Sequence, residues 1–301
     1  MYDQDSKHIS YMSGFFMLIA FVVGSSILAG MLSSVIWTQV TGQPFAGIND
    51  PDLQLRYATL LQILQGLTAV VGFLLPSILT AQLMNRRPMK LLGFTGPIQA
   101  SQALIALAIA VSSVFVASGF AWVTTEIPFP ASWVTSFDSM EKAYAEQAAR
   151  VLQLDSVPGL LLSLLVMAFL PAVSEEALFR GGLQNFLARG TKKPWLGIVV
   201  ASILFSLAHF SAYGFLSRVV LGIALGAIFQ FSGRLWIGIL IHFLNNAYIV
   251  VWLYFSKAQG ENVEELLLKK TDWPLGLLAI PIFAALIVWY RKRNAADGQP
   301  V

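Results

Sequence analysis

Long apolar runs separated by short polar connections make up most of this chain. Tyr11–Trp37, Pro51 to Asn85, the stretch after Gly96-Pro97 to Val123, Val157–Leu187, Trp195–Phe210, Phe215–Phe231, Leu235–Phe255 and Leu275–Tyr290 read as eight helical spans. Most have roughly the 20 residues that a helix needs to cross a hydrocarbon core; Trp195–Phe210 is short, at 16. Asn49-Asp50-Pro51 offers a cap followed by proline at the first helical position. Pro76 is expected to kink the second span. Eight spans place both termini on one side. The first run far exceeds the roughly 7–15-residue core of a signal peptide, so it reads as a retained span. Between spans three and four, Met140, Tyr144, Ala148 and Val151 recur at helical spacing within 124–156 and predict an interfacial helix. Asn262 to Lys270 reads as a second short helix on the same side. Gly222-x-x-x-Gly226 permits close helix packing, a pattern too common to imply a dimer.

Composition fits the runs. Of 301 residues, 56% are hydrophobic and 12% charged, with a mean hydropathy of +0.69, where soluble domains carry about 25% charged residues. The expected fold is an all-α polytopic transmembrane bundle with a polar intramembrane cavity. It forms one membrane domain with three parts: N-terminal spans and interfacial helix (1–156), a core (157–255), and an outer loop, last span and basic tail (256–301). There is no cysteine, which excludes disulfides and thiolate chemistry. A net charge of +3 is too small to imply a nucleic-acid partner. Its distribution says more. Lys7, Arg86, Arg87, Lys90, Arg189, Lys192, Lys193, Arg234, Arg291, Lys292 and Arg293 fall in the connections on the side of the termini, while most acids, Asp272 among them, fall on the other. Both termini are therefore expected in the cytoplasm.

Chemistry enters where charge interrupts an apolar run. Glu175, Glu176 and Arg180 sit within Val157–Leu187, although a charge at the bilayer centre costs roughly 2.5–3.5 kcal/mol on insertion scales. Glu176 and Arg180 stand four apart and share a helix face, with the acid N-terminal as an ion pair prefers. Glu175 points about 100° away and is left for another purpose; the plainer alternative is that both acids serve helix packing alone. Three histidines are present. His8 belongs to the tail. His209 closes the fifth span, and His242 shares a face of the seventh with Asn246, four residues on. Glu175 lies 14 residues before Arg189, and His209 14 past Trp195; each is about 21 Å from a helix end, and His242 about 12 Å. The three groups can therefore converge at one depth.

A carboxylate shielded from water and beside a histidine can deprotonate water, and a second histidine with an amide can stabilise an oxyanion. That set suits amide hydrolysis. Ser174 and Ser206 lack a histidine at an activating spacing. Glu175, His209 and His242 are also three suitable ligands for a divalent metal such as zinc, though no His-Glu-x-x-His element supports one.

Glu175-Glu176-x-x-x-Arg180 with its Phe179-Arg180-Gly181 continuation, Phe205-x-x-x-His209 and His242-x-x-x-Asn246 resemble the three motifs of the CAAX protease and bacteriocin-processing family, whose eukaryotic member is the type II CAAX prenyl endopeptidase. The likeness covers about residues 157–250. It implies an integral-membrane endopeptidase acting on a membrane-associated protein or peptide, CAAX-like or lipidated chains included. Glu175 and His209 would then activate water, His242 and Asn246 would form the oxyanion hole, and Glu176 and Arg180 would support the site. Asn245 is an alternative to Asn246. The family has been described both as metal-dependent and as metal-free, and some members are linked to bacteriocin immunity or scaffolding. A non-catalytic role of that kind is the main alternative. A proton-coupled transporter is another, against which the chain shows no internal repeat.

Overall fold

The structure is a computed structural model that describes residues 4–96, 99–269 and 274–296. Pro97, Lys270 and Asp272, which enter the expectations above, lie outside these. Among the described residues the regular elements are helices, joined by an isolated bridge between Ser6 and Asn85. The principal ones are α1 (Tyr11–Thr41), α2 (Ala58–Met84), α3 (Ala100–Thr125), α4 (Ala131–Val151), α5 (Val157–Thr191), α6 (Pro194–Leu207), α7 (Phe215–Ser232), α8 (Leu235–Ala258), α9 (Val263–Leu268) and α10 (Ile280–Ala296). The protein is an all-α polytopic membrane bundle. Among the described residues, seven helices are long and apolar enough to cross a membrane: α1, α2, α3, α5, α7, α8 and the segment Pro274–Arg293. On α1, Phe16, Ile27 and Met31 are each more than 60% exposed, as a face turned to lipid would be.

The fifth expected span, α6, has 14 residues. At about 1.5 Å per residue it reaches roughly 21 Å, short of a core about 30 Å thick. It ends before His209, not after it. The His209 and Phe210 amides tighten onto the Ser206 and Leu207 carbonyls, and Phe210 turns left-handed at φ 49. His209 therefore stands in a turn, 208–214, inside the bundle's span.

Backbone chemistry shapes the helices around that turn. Proline lacks an N–H, and its ring crowds the carbonyl four residues back. Ahead of Pro76 and Pro171 the chain relaxes into wide π turns at Val70–Leu74 and Leu165–Phe169, so the expected kink at Pro76 takes this form. A third π segment, Ala177–Gln184, follows the acidic pair. At the head of α2, Asp50 Oδ1 accepts from the Asp52 and Leu53 amides and caps Pro51–Arg56.

Two apolar cores flank α5. Leu18, Ala81, Leu92, Phe179, Phe186 and Phe205 fill one; Ile105, Ile109, Leu225, Ile228, Ile241 and Tyr290 fill the other. From Glu176 to Ala188 every residue of α5 is buried. Polar side chains tie this helix to its neighbours. The Gln184 amide donates to Gly226 O (2.9 Å), that of Asn185 to Leu91 O (2.7 Å), and that of Gln62 to Ser163 Oγ (2.8 Å).

α4 is a helix where the spacing predicted one. Ala145 and Val151 are buried, Val151 against Trp37 and Leu61, whereas Met140 and Tyr144 are exposed. Polar contacts set its rotation. Arg150 Nε donates to Gln54 Oε1 (2.8 Å), Ser211 Oγ to Glu141 Oε1 (2.6 Å), and Tyr213 OH to Asp138 Oδ1 (2.7 Å). The last two bonds tie α4 to the turn that carries His209.

Candidate active site

The acidic pair of α5 divides as its spacing predicts. Glu176 is fully buried, and its Oε1 accepts from Arg180 Nη1 at 2.7 Å. Arg180 is 1% exposed; its Nη2 reaches Gly222 O (3.4 Å) and its guanidinium lies 4.7 Å from the Phe205 ring centroid. Glu176 has a further partner that spacing along one helix could not reveal: His242 Nδ1 stands 3.1 Å from the same Oε1. The first and third motifs therefore meet at this one oxygen. Gly238, a turn before His242, leaves the room; a Cβ there would lie 2.9 Å from Glu176 Oε2.

Glu175 faces elsewhere. Its Oε2 is buried without a hydrogen-bond partner and lies 3.9 Å from His209 Nε2 and 3.8 Å from His242 Nε2. The far side of each ring decides its tautomer. His209 Nδ1 sits 2.7 Å from Phe205 O, which can only accept, and His242 Nδ1 faces the Glu176 carboxylate. Both Nδ1 atoms therefore donate, and in their neutral forms both Nε2 atoms turn lone pairs towards Glu175. Three acceptors then meet with no protein donor between them among the described residues. A water supplies two donors and suits such a gap. Protonation of His242 would convert its Nε2 into a donor, with the Glu176 carboxylate already on the opposite nitrogen.

A zinc ion fits this arrangement less well. Four-coordinate zinc with bonds of about 2.0–2.2 Å draws its ligands to roughly 3.3–3.5 Å from one another, and the separations here are 3.8 and 3.9 Å. No group of three His, Cys, Asp or Glu side chains among the described residues is arranged to hold a metal ion.

The remaining expected groups separate clearly. Asn245 and Ser113 of α3 bond to each other through both amide atoms (3.0 and 3.2 Å), so Asn245 is a tie between helices. Asn246 is partly buried and makes no such bond among the described residues, one turn beyond His242 on the same helix. Ser206 Oγ is committed to Phe215 O (2.7 Å). Ser174 Oγ is buried without a partner, and no histidine contact to it is present among the described residues.

Arg218 of α7 escapes a reading based on motifs. Its guanidinium exerts charge on both Glu175 and His209, and its Nη1 is buried and unpartnered. One signal for it was present: an arginine inside the apolar run Phe215–Phe231, one turn before Gly222.

Residues 157–248 match the family model described as type II CAAX prenyl endopeptidase Rce1-like. The segment runs from the start of α5 to the middle of α8 and contains all three motifs. Neither the curated proteins nor the solved structures give a match.

Proposed function

We propose that the protein is an endopeptidase that cuts a membrane-associated protein or peptide inside the bilayer, a reading supported by the likeness of residues 157–248 to the type II CAAX prenyl endopeptidase Rce1-like family model. The observation that carries this reading is the convergence of His209 Nε2 and His242 Nε2 on the unpartnered Glu175 Oε2.

Water held between Glu175 and His209 loses a proton to the Glu175 carboxylate and adds to the scissile carbonyl. The oxyanion takes hydrogen bonds from the Asn246 amide and from the Nε2–H of His242, which enters the cycle already protonated with its Nδ1–H on Glu176. Arg180 neutralises Glu176 and holds it in place. As the tetrahedral intermediate collapses, Glu175 returns its proton to the leaving nitrogen. The separations favour water over a metal ion as the group between the acceptors, so a chelator should leave the rate unchanged. The short basic connections favour a cytoplasmic side for both termini, which requires α6 together with the turn 208–214 to complete a crossing.

The test compares the protein termini found in membranes of cells carrying either wild type or Glu175→Gln, with the native substrate expressed. Termini generated only by wild type would support proteolysis and name the substrate. Identical termini, with the variant folded and present at equal level, would refute it in favour of a scaffolding or immunity role.

A further inference from the structure

Every fourth residue of one α7 stripe meets the motif region of α5. Gly226 O accepts from Gln184, and Gly222 O from Arg180. Arg218 is the next position of the stripe, so it shares that face. Helical side chains lean towards the N-terminus, which carries the guanidinium past Gly222 towards the turn 208–214. There it lies against Gly214, where a Cβ would collide with Arg218 Nη1.

The surroundings leave this cation unsatisfied. Glu175 bears on it from the site and Glu141 from α4, beside the neutral phenol of Tyr144. None of them makes a hydrogen bond or ion pair with it among the described residues, and Glu141 gives Oε1 to Ser211. Arg180, one helix away, shows what a settled arginine in this bundle looks like: an ion pair, a carbonyl and an aromatic face. Arg218 is partly buried as a whole, but its Nη1 is closed off from water with its donors unused, which is costly unless an anion arrives.

We propose that Arg218 is the substrate anchor of the site and receives a carboxylate of the peptide to be cut. The planar fork of donors matches a carboxylate, and a peptide brings one as its free C-terminus or as an acidic side chain. Held by Arg218 beside the turn carrying His209, that carboxylate would set which peptide bond reaches Glu175. The inference rests on the reading of the site as a peptidase.

Binding separates the two ideas. Full-length Glu175→Gln protein in lipid nanodiscs is titrated with a farnesylated CAAX-type peptide in three forms: free acid, C-terminal amide, and amide with an aspartate near the end. Each is measured with Arg218, Arg218→Lys and Arg218→Gln, with melting temperatures to verify folding. With Arg218 the free acid should bind about 10- to 100-fold more tightly than the amide. Arg218→Lys should keep part of that preference, and Arg218→Gln should bring it within about twofold. Tight binding by the aspartyl amide, lost in Arg218→Gln, would assign the carboxylate to a side chain. Equal binding of all forms, a preference that survives Arg218→Gln, or no binding would overturn the proposal. Cleavage is assayed separately with Glu175 intact, where Arg218→Gln should raise KM far more than it lowers kcat. Arg218-dependent binding without cleavage would leave the anchor standing and sink the peptidase.

Discussion

Replacing Arg180 with methionine keeps most of the side-chain volume and removes the charge. It deletes the 2.7 Å ion pair to Glu176, the Gly222 contact and the cation over Phe205. Glu176 is 0% exposed, so its carboxylate keeps only the His242 Nδ1–H. Breaking one half of a buried pair costs about 3–5 kcal/mol, because the remaining charge has no solvent to turn to. On the scale of about 2–4 °C per kcal/mol for larger soluble domains, Arg180→Met should melt roughly 6–20 °C lower. The double variant Glu176→Gln/Arg180→Met removes both charges, and the amide oxygen it introduces can still accept from His242. It should recover more than half of the loss. Thermal unfolding of the detergent-solubilised protein at a fixed heating rate, followed by its 8 tryptophans, reads both variants. Arg180→Met melting within about 2 °C of wild type would refute the argument from buried charge, since about 1 kcal/mol would then be its upper bound. A double variant that loses as much as the two single variants together would refute the coupling.

The two adjacent asparagines should part company: Asn246→Ala should lower kcat by about 10²- to 10³-fold, as loss of one oxyanion donor does, whereas Asn245→Ala should cost about 1 kcal/mol of stability, visible in melting, and leave kcat within a few-fold. Gly238→Ala would press a Cβ to within 2.9 Å of Glu176 Oε2, so activity should fall steeply while far-UV circular dichroism still reports a full helical bundle. Ser211→Ala with Tyr213→Phe removes both hydrogen bonds between α4 and the His209 turn. Amide exchange across 208–214 should speed up, and kcat should fall more than KM rises.

The spans were legible because a bilayer forces the backbone to satisfy itself within helices, and hydropathy follows directly. Glu176 with Arg180, and Asp50 before Pro51, were legible because their partners lie within four residues. Contacts between distant residues were not. His242 meets Glu176 from 66 positions away, and Asn245 meets Ser113 from 132; no local period records either. His209 falls outside its helix because α6 stops at Leu207 and Phe210 turns left-handed, and no glycine or proline marks that stop. The helix of α4 was legible from its apolar spacing, but its hydrogen bonds to Ser211, Tyr213 and Gln54 were not, because those partners lie far away in the chain.

The π segment Ala177–Gln184 acts as a gear between two ends of one helix. Upstream, Glu175 and Glu176 are aimed at the histidines; downstream, Gln184 and Asn185 are aimed at the Gly226 and Leu91 carbonyls. Each residue added or removed between them turns everything beyond it by about 100°. A single deletion there would barely shorten α5, yet it would swing the downstream amides off their carbonyls with the acids left in place. The count of residues between the acidic pair and Gln184 is thus a phase setting, and a chain that keeps every motif letter but changes that count would no longer close around its site.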